Sequence, residues 1–282
     1  MNNPAANMLK DILESLYQKY SRPDLIEPDP LQFVYRYSDP ADMEIVGLLA
    51  ADLAYGRVQQ IEKSLTALFA VMGSSPSAFV RDFNDTRRKS LRAFKHRFTS
   101  GDDISDLLTL LRRVLLEYGS IEEFFLRGCN SADMNIIPAL SMFCASLCEM
   151  HADEHKGRVA PGLQYLLASP ERGSPCKRLN LFLRWMVRKD RVDPGLWKSV
   201  DKAKIVVPLD VHMARLCRIL GLYHQKTPSL AAAVEITKSF LEINPKDPVK
   251  YDFALSRIGI VEGCNGKYTL RCHGCELLEF CK

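Results

Sequence analysis

An all-α fold is what this chain predicts, on three observations. Apolar residues recur at helical spacing along most of the 282 residues. Runs of alternating polarity are rare. Pro and Gly punctuate the sequence where helices would end.

Near the start, Leu13, Leu16 and Tyr17 mark one amphipathic helix that packs. Residues 42–53 place Ile45, Leu48 and Leu49 on one stripe, and residues 104–116 repeat the pattern with Leu107, Leu108, Leu111, Val114 and Leu115. Cys144 and Cys148 lie one helical turn apart in an apolar stretch and read as small core residues. Leu179, Phe182, Leu183, Met186 and Val187 form another stripe. Ala214, Leu216, Cys217 and Leu220 continue in 211–220, which stops before Gly221. Segments 230–241 and 248–258 complete the set. Breaks fall at 73–76, 157–162 and 169–175, and Asp193-Pro194-Gly195 is a turn by composition. Helices packed around one or two cores are expected.

The bulk numbers fit a soluble globular protein: 47% hydrophobic and 26% charged residues. No segment is apolar for long enough to span a bilayer, and the opening Met-Asn-Asn-Pro lacks a basic-then-apolar signal pattern. A cytoplasmic location with reduced thiols is therefore expected. That favours metal over disulfides for the closing residues, where Cys264, Cys272, Cys275 and Cys281 are spaced C-x7-C-x2-C-x5-C. Four thiolates so close together can surround one metal centre. Their uneven gaps suit a [4Fe–4S] cubane, in which each cysteine reaches a different iron corner. Structural zinc is the alternative, though it more often shows two CxxC knuckles and only one is present.

Positive charge is concentrated. Between 177 and 204, nine basic residues face three acidic ones, a net +6, so the rest of the chain carries −2 of the total +4. A polyphosphate backbone asks this of its partner, and a solvated helix face offers the same pattern. Just beyond, Pro208-Leu209-Asp210-Val211-His212 opens a helix with Asp210 as N-cap. A carboxylate fixed there also has the direction to stabilise a developing cation or to deprotonate a nucleophile.

The segment 208–216, followed some fifty residues later by the four-cysteine tail, resembles the helix-hairpin-helix DNA glycosylases of the endonuclease III type. In that superfamily the matching aspartate is the catalytic carboxylate and the C-terminal cysteine loop binds [4Fe–4S]. The usual first gap between cysteines is six residues, and here it is seven. Residues 44–53 resemble the superfamily's early helix, which ends in a loop whose polar residues enter DNA; Tyr55, Arg57 and Gln59 occupy that region. More narrowly, residues 53–57 together with 181–188 look like the DUF2400 family.

One departure stands out. The hallmark hairpin, Leu-Pro-Gly-Val-Gly-x-Lys, is replaced by Arg191-Val192-Asp193-Pro194-Gly195-Leu196-Trp197-Lys198. The glycine pair that lets backbone amides approach phosphate is missing, as is the usual lysine nucleophile. Lys177, 33 residues before Asp210 (210 minus 177), is placed as in the archaeal 8-oxoguanine glycosylase branch. It reads either as a replacement nucleophile or as a basic residue touching phosphate. Trp185 and Trp197 read either as stacking platforms for an extruded base or as core.

The resemblance implies a two-lobed glycosylase-like fold in three parts: a helical arm over 1–40, a core over 41–260 and the cluster loop over 261–282. It implies a DNA N-glycosylase of base-excision repair, with or without lyase activity, with Asp210 and Lys177 catalytic. Cys264, Cys272, Cys275 and Cys281 would hold a [4Fe–4S] cluster, or zinc. Tyr55, Arg57, Gln59, Arg184, Arg188, Lys189, Arg191 and Lys198 would meet the nucleic acid. DNA, or RNA, is the expected partner of a monomer that needs no membrane. A non-catalytic nucleic-acid binder and an enzyme acting on modified RNA or nucleosides are the alternatives.

Overall fold

The computed structural model describes residues 4–281 and is built almost wholly of helices. Helix α1 covers Pro4–Tyr20 and buries Leu13 and Leu16 against two helices near the other end of the chain, α12 (Leu230–Ile243) and α13 (Asp252–Ile260). At the centre lies α2, Pro40–Asp52. Asp39 caps it, and Pro40 occupies the first position, where a missing amide hydrogen costs nothing. Every residue of α2 from Asp42 onward is buried, because the 3-10 segment Pro30–Arg36, α4 (Pro76–Arg81) and α10 (Lys177–Val187) enclose it. Gly47 lets α10 come close: a Cβ there would lie 2.8 Å from Met186 Cε.

Between these come α3 (Val58–Met72), α5 (Asp85–Ser90), α6 (Gly101–Glu117), α7 (Ile121–Leu126), α8 (Ile137–Glu154) and α9 (Pro161–Leu166). Ser100 opens α6 with a reciprocal capping box through Asp103. Glu44, buried in α2, caps α7 together with the local Ser120, whose hydroxyl accepts the Glu123 amide at 3.1 Å. Glu44 accepts the Ile121 and Glu122 amides, both at 2.9 Å, and the Trp197 indole N–H at 2.7 Å. One carboxylate thus ties α2, α7 and the 191–198 turn together.

The stripes over 42–53, 104–116, 179–187, 211–220 and 230–241 all lie in helices, 211–220 in α11 (Val211–Ile219). Two expectations need adjusting. The 248–258 helix begins only at Asp252, because the Lys250 and Asp252 amides bond three residues back and make tight turns first. A two-stranded hairpin, β1 (Lys95–His96) with β2 (Thr99–Ser100), interrupts the helices; Arg97 turns it at a φ of 52°. Among the described residues, no helix is long and apolar enough to cross a membrane.

Candidate functional site

A cleft of about 830 Å³ opens between two groups of elements. One wall comes from the loop after α2, the α9 end and the start of α10; the other comes from residues 208–213 and α13, with residues 28–30 closing one side. Lys177 is the first residue of α10, set by the left-handed backbone of Cys176 at φ 51°. Asp210 caps α11 as expected: its Oδ1 accepts the His212 and Met213 amides at 2.9 and 2.8 Å. That leaves Oδ2 free to face the other wall, where Lys177 Nζ lies 3.8 Å away. Both side chains are partly exposed, 35% for Lys177 and 22% for Asp210, so a ligand in the cleft reaches them. His212 packs against Gly259, where a Cβ would fall 2.3 Å from Nδ1.

Beside Tyr55, which the sequence announced, the site brings in Arg178, Tyr165 and Phe98, which it did not. Arg178 donates to the Asp52 carbonyl oxygen at 2.6 Å and to the Tyr165 carbonyl oxygen, and its guanidinium lies against the Tyr55 and Tyr165 rings. Tyr55 is half-buried and its hydroxyl meets the His96 carbonyl and Thr99 Oγ1, both at 2.8 Å. At the rim, the hairpin tip exposes 72% of Phe98, which neighbours Tyr165 at 6.3 Å between ring centres. Arg97 lies over the Phe98 ring and runs close above Gly56, joining the hairpin tip to the loop after α2. The sequence signal was a lone aromatic in the cationic run Lys95-His96-Arg97-Phe98. Asp29, Asp252 and Arg257 also line the cleft; in sequence they read as ordinary helix-end and helix residues.

Two expected phosphate contacts are corrected. Arg184 and Arg188 are each only 2% exposed, and acids surround them. Arg184 pairs with Asp193 at 3.1 Å and Asp252 at 2.6 Å. Arg188 pairs with Asp190 and Asp247, both at 2.9 Å, and with Asp193. Buried in this way, Arg188 cannot meet a phosphate; Arg184 lines the cleft floor but presents no exposed charge. Helical spacing alone could not reveal this, because Asp247 and Asp252 come from far along the chain. Lys189, Arg191 and Lys198 are exposed but do not line the cleft. Arg57 and Gln59 are exposed at the start of α3, beside Tyr55 and Val58 of the cleft wall.

The Pro194-Gly195 segment does make a tight turn, with Gly195 at φ 58° and Lys189 bridged to Pro194. Its amides are already used. Gly195 N–H donates to the Trp185 carbonyl, Trp197 N–H to the Met186 carbonyl and Lys198 N–H to Glu122. The turn thus has no amide pair to offer a phosphate there. Trp185 and Trp197 are core residues, 0% and 3% exposed, and not platforms for a base.

Cys264, Cys272, Cys275 and Cys281 all line one small cavity against Leu216 of α11 and Ile258 of α13. Thr269 N–H points at Cys272 Sγ, 3.3 Å away. The Cys281 thiol is pushed above its ordinary value by burial first, then by the three neighbouring thiols. Arg215 of α11 fastens the loop through a 2.9 Å bond to the Cys264 carbonyl oxygen. Among the described residues, no three His, Cys, Asp or Glu side chains form a site for a metal ion.

Residues 29–261 match the family model described as "Protein of unknown function (DUF2400)". The chain belongs to the DUF2400 family. That match covers both walls of the cleft and ends before the first of the four tail cysteines. Neither a curated protein nor a solved structure matches the chain.

Proposed function

We propose that this DUF2400 protein is a DNA N-glycosylase on a two-lobed, helix-hairpin-helix-like arrangement, with its active site in the cleft between Lys177 and Asp210. The single observation that supports the reading most is the approach of Lys177 Nζ to Asp210 Oδ2, 3.8 Å across the cleft, from the starts of two different helices. A lysine facing a carboxylate, with neither fully buried, has the parts for nucleophilic attack with a proton acceptor at hand.

The step runs as follows. Lys177 Nζ, having given a proton to Asp210, uses its lone pair to attack C1′ of the extruded nucleotide. The bond from C1′ to the base nitrogen breaks, and the base leaves with that electron pair and takes up a proton. Opening of the sugar ring then yields an iminium link between Lys177 and C1′. Asp210 passes the lysine's proton on towards the departing base and, ionised again, stabilises the positive charge that builds on the sugar. The exposed Phe98 and the Tyr165 and Tyr55 rings offer faces on which bases stack, with Arg178 and Arg97 supplying cations beside them.

The four tail thiols open on one cavity, and Cys264, Cys272, Cys275 and Cys281 would together hold a [4Fe–4S] cluster. When bound, such a cluster would supply structural bracing. Arg215 connects its loop to the helix that Asp210 caps.

The test is borohydride trapping on duplexes carrying an abasic site or one of a panel of damaged bases. Wild-type protein forms a covalent adduct, and Lys177→Gln and Asp210→Asn do not. A wild-type protein that forms no adduct with any duplex removes the reading.

A further inference from the structure

A second cationic run lies outside the 177–204 stretch. Between Asp85 and Asp102 stand Arg87, Arg88, Lys89, Arg92, Lys95 and Arg97, with no acid among them. Arg87 and Arg88 are taken up by Asp82 and Asp106. The other four are exposed and have no ion pair among the described residues. They run from the last turn of α5 along the hairpin to its tip. Arg92 packs beside Gly101, Lys95 lies in β1 and Arg97 makes the turn. Phe98 completes the tip, the one phenylalanine among the described residues that is exposed. A single exposed apolar side chain is ordinary. This one is held in place at the rim of the cleft. Both feet of its two-residue turn are buried. His96 meets Ser64 Oγ at 2.9 Å and the Tyr55 carbonyl at 3.0 Å, and Thr99 meets the Tyr55 hydroxyl at 2.8 Å. Arg97 is pinned above Gly56, where a Cβ would lie 2.7 Å from its Cδ. The turn is thus ordered before any partner arrives, which lowers the entropy cost of binding.

We infer that this face is the nucleic-acid interface: Lys89, Arg92, Lys95 and Arg97 follow the phosphates of a DNA duplex, and the Phe98 ring enters its base stack. The ring fills the place of the nucleotide extruded into the cleft, and there the inference rests on the glycosylase reading. Unpaired cations displace counterions when they meet phosphates; cations already neutralised by buried acids, such as Arg184 and Arg188, do not. Basic side chains on the backbone set position and affinity, and an apolar wedge between base steps holds the stack open. Position decides the wedge. Phe98 neighbours Tyr165, whose ring lies against Arg178 in the cleft wall. A nucleotide leaving the stack at Phe98 therefore has beside it the cleft that Lys177 and Asp210 line. A lipid surface is the other partner that cations around an aromatic ring suggest. It asks for a broad apolar helix face, and this tip is a two-residue turn.

The experiment uses full-length protein and a duplex carrying a stable tetrahydrofuran abasic site, on which no chemistry follows binding. Affinity is measured against salt for wild type, Arg92→Gln, Lys95→Gln and Arg97→Gln. Each change lowers the slope of log affinity against log salt by about 1. Lys238→Gln, exposed on α12, leaves the slope unchanged. Phe98→Ala weakens binding to this duplex about tenfold or more. Phe98→Trp adds an exposed reporter to the buried Trp185 and Trp197, and its emission is quenched when duplex saturates the protein. The substituted side chains are all exposed, so the variants fold as the wild type does. Unchanged slopes in the three cation variants, an equal fall in Lys238→Gln, full affinity in Phe98→Ala or an unquenched Phe98→Trp overturns the inference. So does wild-type protein that binds no duplex, or that binds phosphatidylserine vesicles through Phe98 instead. Borohydride trapping is read separately. An adduct with unaltered slopes leaves the glycosylase reading standing without this interface; altered slopes with no adduct remove that reading and keep the interface.

Discussion

Lys177 Nζ and Asp210 Oδ2 stand 3.8 Å apart, although 33 positions separate the residues (210 minus 177) and each begins its own helix. Asp210 divides its labour: Oδ1 holds the first turn of α11 and Oδ2 faces the lysine. Asparagine caps a helix about as well as aspartate, so Asp210→Asn keeps the fold and removes only the charge. Its melting temperature stays close to that of the wild type, while excision falls by roughly 10²–10⁴-fold. A large loss of melting temperature would instead assign Asp210 to the cap alone.

Arg215 ties the cysteine loop to α11, the helix that Asp210 caps, through its bond to the Cys264 carbonyl. Arg215→Met should loosen the loop, read as faster proteolysis within residues 262–281 with the rest of the chain intact. Protein purified without oxygen should be brown. Cys272→Ser should lose the colour and its iron, whereas a colourless wild type containing only zinc would replace the cluster with a structural zinc site.

Arg188, once counted with the phosphate contacts, predicts the opposite behaviour. Its Asp190, Asp193 and Asp247 partners are nearly as buried as it is, so Arg188→Ala strands them. We expect a loss of about 3–5 kcal/mol in urea unfolding. For exposed Lys189 and Lys198 the expectation differs. If either meets the backbone of bound duplex, its change to Gln lowers the slope of log affinity against log salt by about 1, with stability little changed.

Asp52 offers a pH test independent of any substrate. It is fully buried, with both carboxylate oxygens unpartnered among the described residues, and burial pushes it up to about 7 against the opposing pull of Arg178. Between the ordinary carboxylate value and 7, the folded state keeps a proton that the unfolded state gives up. Stability from this group therefore falls as pH rises through that window and is lowest above it. Asp52→Asn removes the dependence. Relative to wild type, the variant should gain stability between about pH 5 and pH 8, by up to about 3 kcal/mol, in unfolding measured at both values. An identical difference at both pH values would place the Asp52 pKa outside the window.

The helices were legible because their burial is local and periodic: Ile45, Leu48 and Leu49 announce α2 without help from elsewhere. Asp210 was legible for the same reason, since a cap is a local pattern. The floor of the cleft was not. Asp252 and Arg257 acquire their meaning only from Arg184 and Asp29, which lie far away in sequence. The same limit misled the reading of Arg184 and Arg188. A count of nearby charges registers a cationic stretch, but the neutralising Asp247 and Asp252 arrive from the following elements. Trp185 and Trp197 read from the sequence as core or as platforms, and their burial makes them core, with Glu44 taking the Trp197 N–H.

The most direct test is the location of the covalent link. Wild-type protein is treated with borohydride in the presence of an abasic-site duplex, digested and sequenced by mass spectrometry. The account predicts a single modified peptide, with the sugar remnant on Lys177. A remnant on another lysine, or an adduct that persists in Lys177→Gln, would contradict it.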